Sequence, residues 1–125
     1  MEQAGGAPDI QERAMEYALR AINLFRFLQK QPDGAAKVLG RQYLRSATSV
    51  GANLVEAQSG ESRRDFIHKC SIAQKEARES RYWLTLMLKS QLLPPDRLTA
   101  ILDETNQIIA ILTAIIVKAK RRTND

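Results

Sequence analysis

One cysteine and one histidine are all that the chain offers to thiol or imidazole chemistry. With Cys70 alone, no disulfide can close within the chain. Phe66, Ala73 and Ala77 fall on the same helical face as Cys70, which makes it a packed thiol. A reactive cysteine would need exposure and a neighbouring base. His68 sits two residues from Cys70, and side chains at that spacing diverge on a helix, so the two cannot begin a metal set. No Glu-x-x-His pair occurs, which removes the di-iron class of helical proteins. Ser46, Ser49, Ser59 and Ser71 have no base at a recognisable spacing. The reading is therefore no catalytic residue, no metal ligand, no cofactor and no enzyme.

Other absences narrow the class further. No stretch alternates apolar and polar residues with a period of two, so no strand is expected and no strand can carry a glycine-rich phosphate loop. No internal repeat of fixed period stands out. The opening MEQAGGAPD has neither a basic nor an apolar region, so no secretory signal is expected. The most apolar run, residues 108–117, is far shorter than the roughly 20 residues a membrane span needs. No membrane partner and a cytoplasmic location are the expectations.

What remains is helical. Hydrophobic residues make up 44% and charged residues 26%, a globular rather than a disordered balance. Residues 1–8 read as a flexible leader. Asp9 with Glu12 makes a capping box, and Ile10, Ala14, Tyr17, Ala18, Ala21, Leu24, Phe25 and Leu28 then recur at helical spacing. This first helix should end near residue 31, before Pro32-Asp33-Gly34.

A second helix is expected over about 35–57. Its inward face is Ala36, Leu39, Gly40, Tyr43, Ala47, Val50, Gly51, Leu54 and Ala57. Residues so small imply close approach by a neighbouring helix. Asn53 and Glu56 either cap or bond the next loop, or form a polar pair buried between helices.

Ser62, with Asp65 three residues on, opens a third helix whose core stripe is Phe66, Cys70, Ala73, Ala77, Leu84, Met87 and Leu88. Pro94 ends it, and Pro95 or Asp96 opens the fourth. In that last helix Leu98, Ile101, Leu102, Thr105, Ile108, Ile109, Leu112, Ile115, Ile116 and Ala119 form a wide stripe, with Ile111 and Val117 off it. A helix apolar nearly all round should be buried nearly all round. One four-helix bundle cannot provide that, so Ile108, Ile111, Ile115 and Val117 are expected to meet another copy of the chain. The fold expected is all-α: an antiparallel up-down-up-down four-helix bundle over residues 9–122, oligomeric, with a disordered tail at 123–125.

The net charge of +5 is unevenly spread. Residues 1–33 hold four basic against five acidic side chains, 34–60 three against one, 61–91 seven against four, and 92–125 five against four. Lys37, Arg41 and Arg45 recur every four residues on the second helix. Arg63, Arg64, Lys69, Lys75, Arg78 and Arg81 crowd the third, interleaved with Glu61, Asp65, Glu76 and Glu79. These nine cations are either a solvated face or a surface that tracks phosphates. An oligomer would repeat the second kind of surface with each subunit.

The stretch SVGANLVEAQSGESRRDFIHKCSIAQKEARESRYWLTLM resembles a known family. Its most telling pieces are Ser49-Val50 leading to Asn53-Leu54-Val55-Glu56, then Ser62 and Arg63 ahead of Asp65-Phe66-Ile67, then Ile72-Ala73 and Glu76. They resemble the four-helix-bundle proteins encoded in intervening sequences of bacterial 23S ribosomal RNA genes, also called S23 ribosomal proteins. These are similar to the accessory variability protein of diversity-generating retroelements. The resemblance implies a homopentameric ring and, through the basic residues of helices two and three, contact with nucleic acid. Two function classes follow: a non-enzymatic oligomer that binds RNA or DNA, or a scaffold for a partner protein without nucleic acid.

Overall fold

Asp9 begins the first helix with a reciprocal cap. Its carboxylate accepts from the Glu12 amide at 2.9 Å, and the Glu12 carboxylate accepts from the Asp9 amide at 3.2 Å. The computed structural model describes residues 9–124, with side chains through 122, so the leader expected over 1–8 lies outside the described residues. Four long helices make up the fold, with no strand among the described residues: α1 (Ile10–Gln29), α2 (Gly34–Gln58), α3 (Arg63–Lys89) and α4 (Thr99–Asn124). The α4 backbone continues past the expected boundary at 122.

The ends of the helices follow from local chemistry. α1 stops at Gln29, short of residue 31, because Pro32 disfavours helical backbone in the residue before it. Asp33 caps α2 by accepting from the Ala35 amide at 2.9 Å, and Ser62 caps α3 by accepting from the Asp65 amide at 3.1 Å. α3 ends in a paired closure: Gln91 N–H donates to Leu88 and Leu92 N–H to Met87. That closure holds Gln91 at φ 59, in the left-handed region usually given to glycine. Pro95 does not open α4. It starts one 3-10 turn, Pro95–Arg97, and the α-helix begins only at Thr99.

Each helix packs on the next, and α4 returns to α1. Numbers run in opposite directions across the α1–α2, α3–α4 and α1–α4 pairs. Leu28 meets Gly40 and Ala14 meets Gly51. Ser46 bonds Ser80 at 2.8 Å. Gln74 donates to Thr113 at 2.7 Å and Arg81 to Asn106 at 3.2 Å. Tyr17 bonds Thr105 at 2.7 Å, and Arg13 grips Glu104 with two hydrogen bonds. Arg97 lies 4.0 Å over the Phe27 ring, which pins the last turn to the end of α1.

The small residues of α2 do admit close neighbours, but unequally. A Cβ at Gly40 would stand 3.2 Å from the Leu28 Cβ and 3.1 Å from the Gln29 side-chain Nε2, whereas at Gly51 it would meet Ala14 at an ordinary 3.5 Å. Gly51→Ala is expected to add roughly 0.5–1 kcal/mol through helix propensity alone. Gly40→Ala should lose that gain to crowding, and denaturant titration of the two variants will separate them.

The core holds one polar layer. Tyr17 and Tyr43 meet edge to face with ring centroids 6.4 Å apart. Tyr17 is satisfied by Thr105, and the buried Ser46 and Ser80 satisfy each other, but the Tyr43 hydroxyl has no hydrogen-bond partner among the described residues. Tyr43→Phe should therefore raise stability by about 1 kcal/mol, while Tyr17→Phe should cost about as much. Burial holds both phenols above their usual range. Below pH 10 neither is charged in either state. Above it the unfolded phenols ionise first, so stability falls as pH rises. Tyr43→Phe should unfold at higher pH than the parent in an alkaline circular-dichroism titration.

α4 departs from expectation. Ile108 is 1% exposed and Ile101, Leu112, Ile116 and Ala119 are buried, all within the chain's own core. Yet Asn106, Gln107, Ala110, Thr113, Ala114 and Val117 are exposed, so α4 keeps a solvent face. Of the two apolar residues off the stripe, Ile111 is half-buried and Val117 exposed. By length and composition α4 could cross a membrane. The same features serve a helix whose apolar stripe packs on α1 and α3.

Candidate nucleic-acid interface

At 3.6 residues per turn, one row runs straight down the outside of α3: Arg64, His68, Lys75, Arg78, Tyr82, Leu86 and Lys89. All seven are exposed, and none is acidic. The row spans about 38 Å at 1.5 Å per residue, close to one turn of duplex. The α3 acids sit elsewhere. Glu76 and Glu79 face α2, where both receive Arg45. Glu79 also accepts from the Trp83 indole at 3.1 Å.

This geometry re-sorts the nine cations. Lys37 is withdrawn: its ammonium donates to the backbone carbonyls of Gln29 at 2.8 Å and Gln31 at 2.7 Å, closing the end of α1. Arg45 is answered by Glu76 and Glu79 and ties α2 to α3. The self-repelling stripe on α2 is thus reduced to Arg41, which is exposed and has no ion-pair partner among the described residues. Arg64, Lys75 and Arg78 stand on the α3 row. Arg63 and Arg81 lie on its flank toward α4, where Arg81 donates to Asn106. Lys69 is half-buried and off the row. Lys89 and Tyr82 belong to the row and were missed, although their spacing from Arg64 was legible.

Neither reading of Asn53 and Glu56 holds. Asn53 donates back to its own helix at the Ser49 carbonyl, 2.8 Å away, and Glu56 is exposed. Cys70 is buried, and burial pushes its thiol up, away from the reactive thiolate. Among the described residues no three His, Cys, Asp or Glu side chains converge to hold a metal.

Of the four residues expected at an oligomer interface, Ile108 is unavailable because its own core encloses it. Ile115 packs against that core, Ile111 is half-buried, and Val117 is exposed. Larger apolar exposure lies on α1 and α2, at Met15 (61%), Leu19 (48%), Val38 (51%) and Val55 (55%). Met15 and Val55 flank a groove of about 930 Å³, floored by the small residues Ala14, Ala18, Gly51 and Ala52. A second hollow, about 390 Å³, opens between the start of α3 and the end of α4.

Four long helices, with no strand among the described residues, make this a small all-helical protein. The family model for the 23S rRNA-intervening sequence protein matches residues 8–114, and the chain belongs to that family. It is similar to a protein of unknown function from the S23 ribosomal protein family of Bacteroides thetaiotaomicron, known from a crystal structure. The two share 38% identity with a TM-score of 0.80, over 86% of this chain and 98% of that one. No curated protein matches the chain.

Proposed function

We propose that the protein is a non-enzymatic homo-oligomer, a ring of five in its expected form, that holds nucleic acid electrostatically in the cytoplasm. Each subunit is an antiparallel up-down-up-down four-helix bundle, in keeping with the opposed numbering across three of its four helix pairs. The observation that carries the reading is the α3 row, in which Arg64, Lys75, Arg78 and Lys89 have no ion-pair partner among the described residues. Arg41 adds to it from α2. Cations left unanswered by their own fold are free to release counterions from phosphates, and that term needs no sequence-reading motif. The exposed Met15, Leu19 and Val55 supply the apolar surface that a second copy would cover.

A second reading rests on Tyr82 (59% exposed) and Leu86 (36%), which put apolar area inside the charged row. That mixture also suits a partner protein. Binding to single- and double-stranded RNA and DNA at two salt concentrations tests the first reading, which requires affinity that falls with salt. Absence of binding at low salt overturns it. A captured partner that survives nuclease treatment would support the scaffold instead.

A further inference from the structure

We infer that the hollow between α3 and α4 seats one unstacked nucleotide of a single strand, an inference that rests on the nucleic-acid reading above. Its floor is Phe66, Ile115 and Ala119, and its rim is Arg63, Lys118 and Arg122. The floor residues are half-buried or buried and pack beside the core, so the surface is fixed in place. The three rim side chains are exposed cations, with no carboxylate among the lining residues and no ion-pair partner among the described ones. Arg63 is also the first residue of α3, where the helix carries its positive end.

An apolar floor that includes an aromatic ring, beneath a crown of positive charge, suits a ligand with a flat apolar body and an anionic group attached. A nucleotide has both. The base lies against Phe66 and Ile115, and the phosphate meets Arg63, Lys118 and Arg122. A paired base inside a duplex cannot leave its stack to enter at low cost, whereas an unpaired one can. The hollow therefore selects single strands, while the α3 row accepts any phosphate backbone. Inorganic phosphate alone would use the rim and leave the floor empty.

The test compares the full-length protein with two variants, by fluorescence anisotropy of a labelled uridine oligomer and of a labelled duplex. Phe66→Leu keeps an apolar floor but removes the ring. Lys118→Gln with Arg122→Gln removes the rim from exposed positions that folding does not need. Phe66→Leu should weaken single-strand binding about five-fold or more and leave duplex binding within about two-fold. The rim variant should weaken single-strand binding more than duplex binding. Thermal melts check folding, and if Phe66→Leu melts early the rim variant decides. Equal losses on both ligands, or none, overturn the proposal, as does a parent protein that binds duplex but no single strand. That last result leaves the α3 reading standing, whereas binding to neither ligand removes both.

Discussion

Reversing two charges at the centre of the α3 row, Lys75→Glu with Arg78→Glu, should weaken duplex binding about a hundred-fold near 0.1 M salt. Each phosphate contact is worth close to ten-fold under those conditions through counterion release, and two are lost. Repulsion by the new carboxylates adds to that. Both residues are exposed and neither takes part in an ion pair among the described residues, so the helix should fold unchanged. Arg45→Glu makes the contrast. It sets a third carboxylate beside Glu76 and Glu79, and its effect should appear in the melting temperature more than in binding. Arg45 is half exposed, so that cost is modest. Anisotropy and thermal melts on the two variants will distinguish a ligand surface from a structural ion pair.

If the proposed oligomer forms through the α1–α2 groove, Met15→Glu with Val55→Arg should yield single chains that stay folded. Both positions are more than half exposed in the isolated subunit, so charge there costs the monomer little, and in an interface it would be buried. Light scattering coupled to size exclusion should report the mass of one chain, with the helical circular-dichroism signal retained. Nucleic-acid affinity should fall as well, because separate subunits lose the effective concentration that linked sites share. A polar residue at Ile108 would instead unfold the subunit, since that side chain belongs to the core. An assembly mass unchanged in the double variant would move the interface off the α1–α2 groove.

Most of the fold was legible because its signals are local. Asp9 with Glu12, Asp33 and Ser62 each fix a helix start through a bond to an amide two or three residues on. Pro32 limits α1, whereas α3 stops at Lys89, five residues before the Pro94 that was expected to end it. The candidate site was legible only in part, because its sorting depends on contacts far apart in sequence. Arg45 looks like one member of a free cationic stripe until Glu76 and Glu79 are folded beside it. Lys37 looks free until the turn at Pro32 and Asp33 swings it back over the α1 carbonyls. The α3 row could have been read in full, since Lys89 and Tyr82 obey the same spacing as Arg64 and Arg78. The convergence of Arg63 with Lys118 and Arg122 could not, since no local pattern links the start of one helix to the end of the next.

The α4 misreading has a different cause. Periodicity identified Ile101, Thr105, Ile108, Leu112 and Ile116 as the inward face, and they are buried. The error lay in also assigning Ile108, a member of that inward face, to an oligomer interface, since its own core encloses it. Meanwhile Met15 and Leu19, apolar positions off the α1 core stripe, went unremarked and are the more exposed.

The most direct measurement is the slope of log affinity against log salt for the unmodified protein on duplex, taken from about 50 to 200 mM. Four unanswered cations in the α3 row predict a slope of about −3.6 for one subunit, and a steeper one where neighbouring subunits join on the same duplex. A slope flatter than about −1, or no binding at the lowest salt, would mean that the row is only a solvated face of the protein.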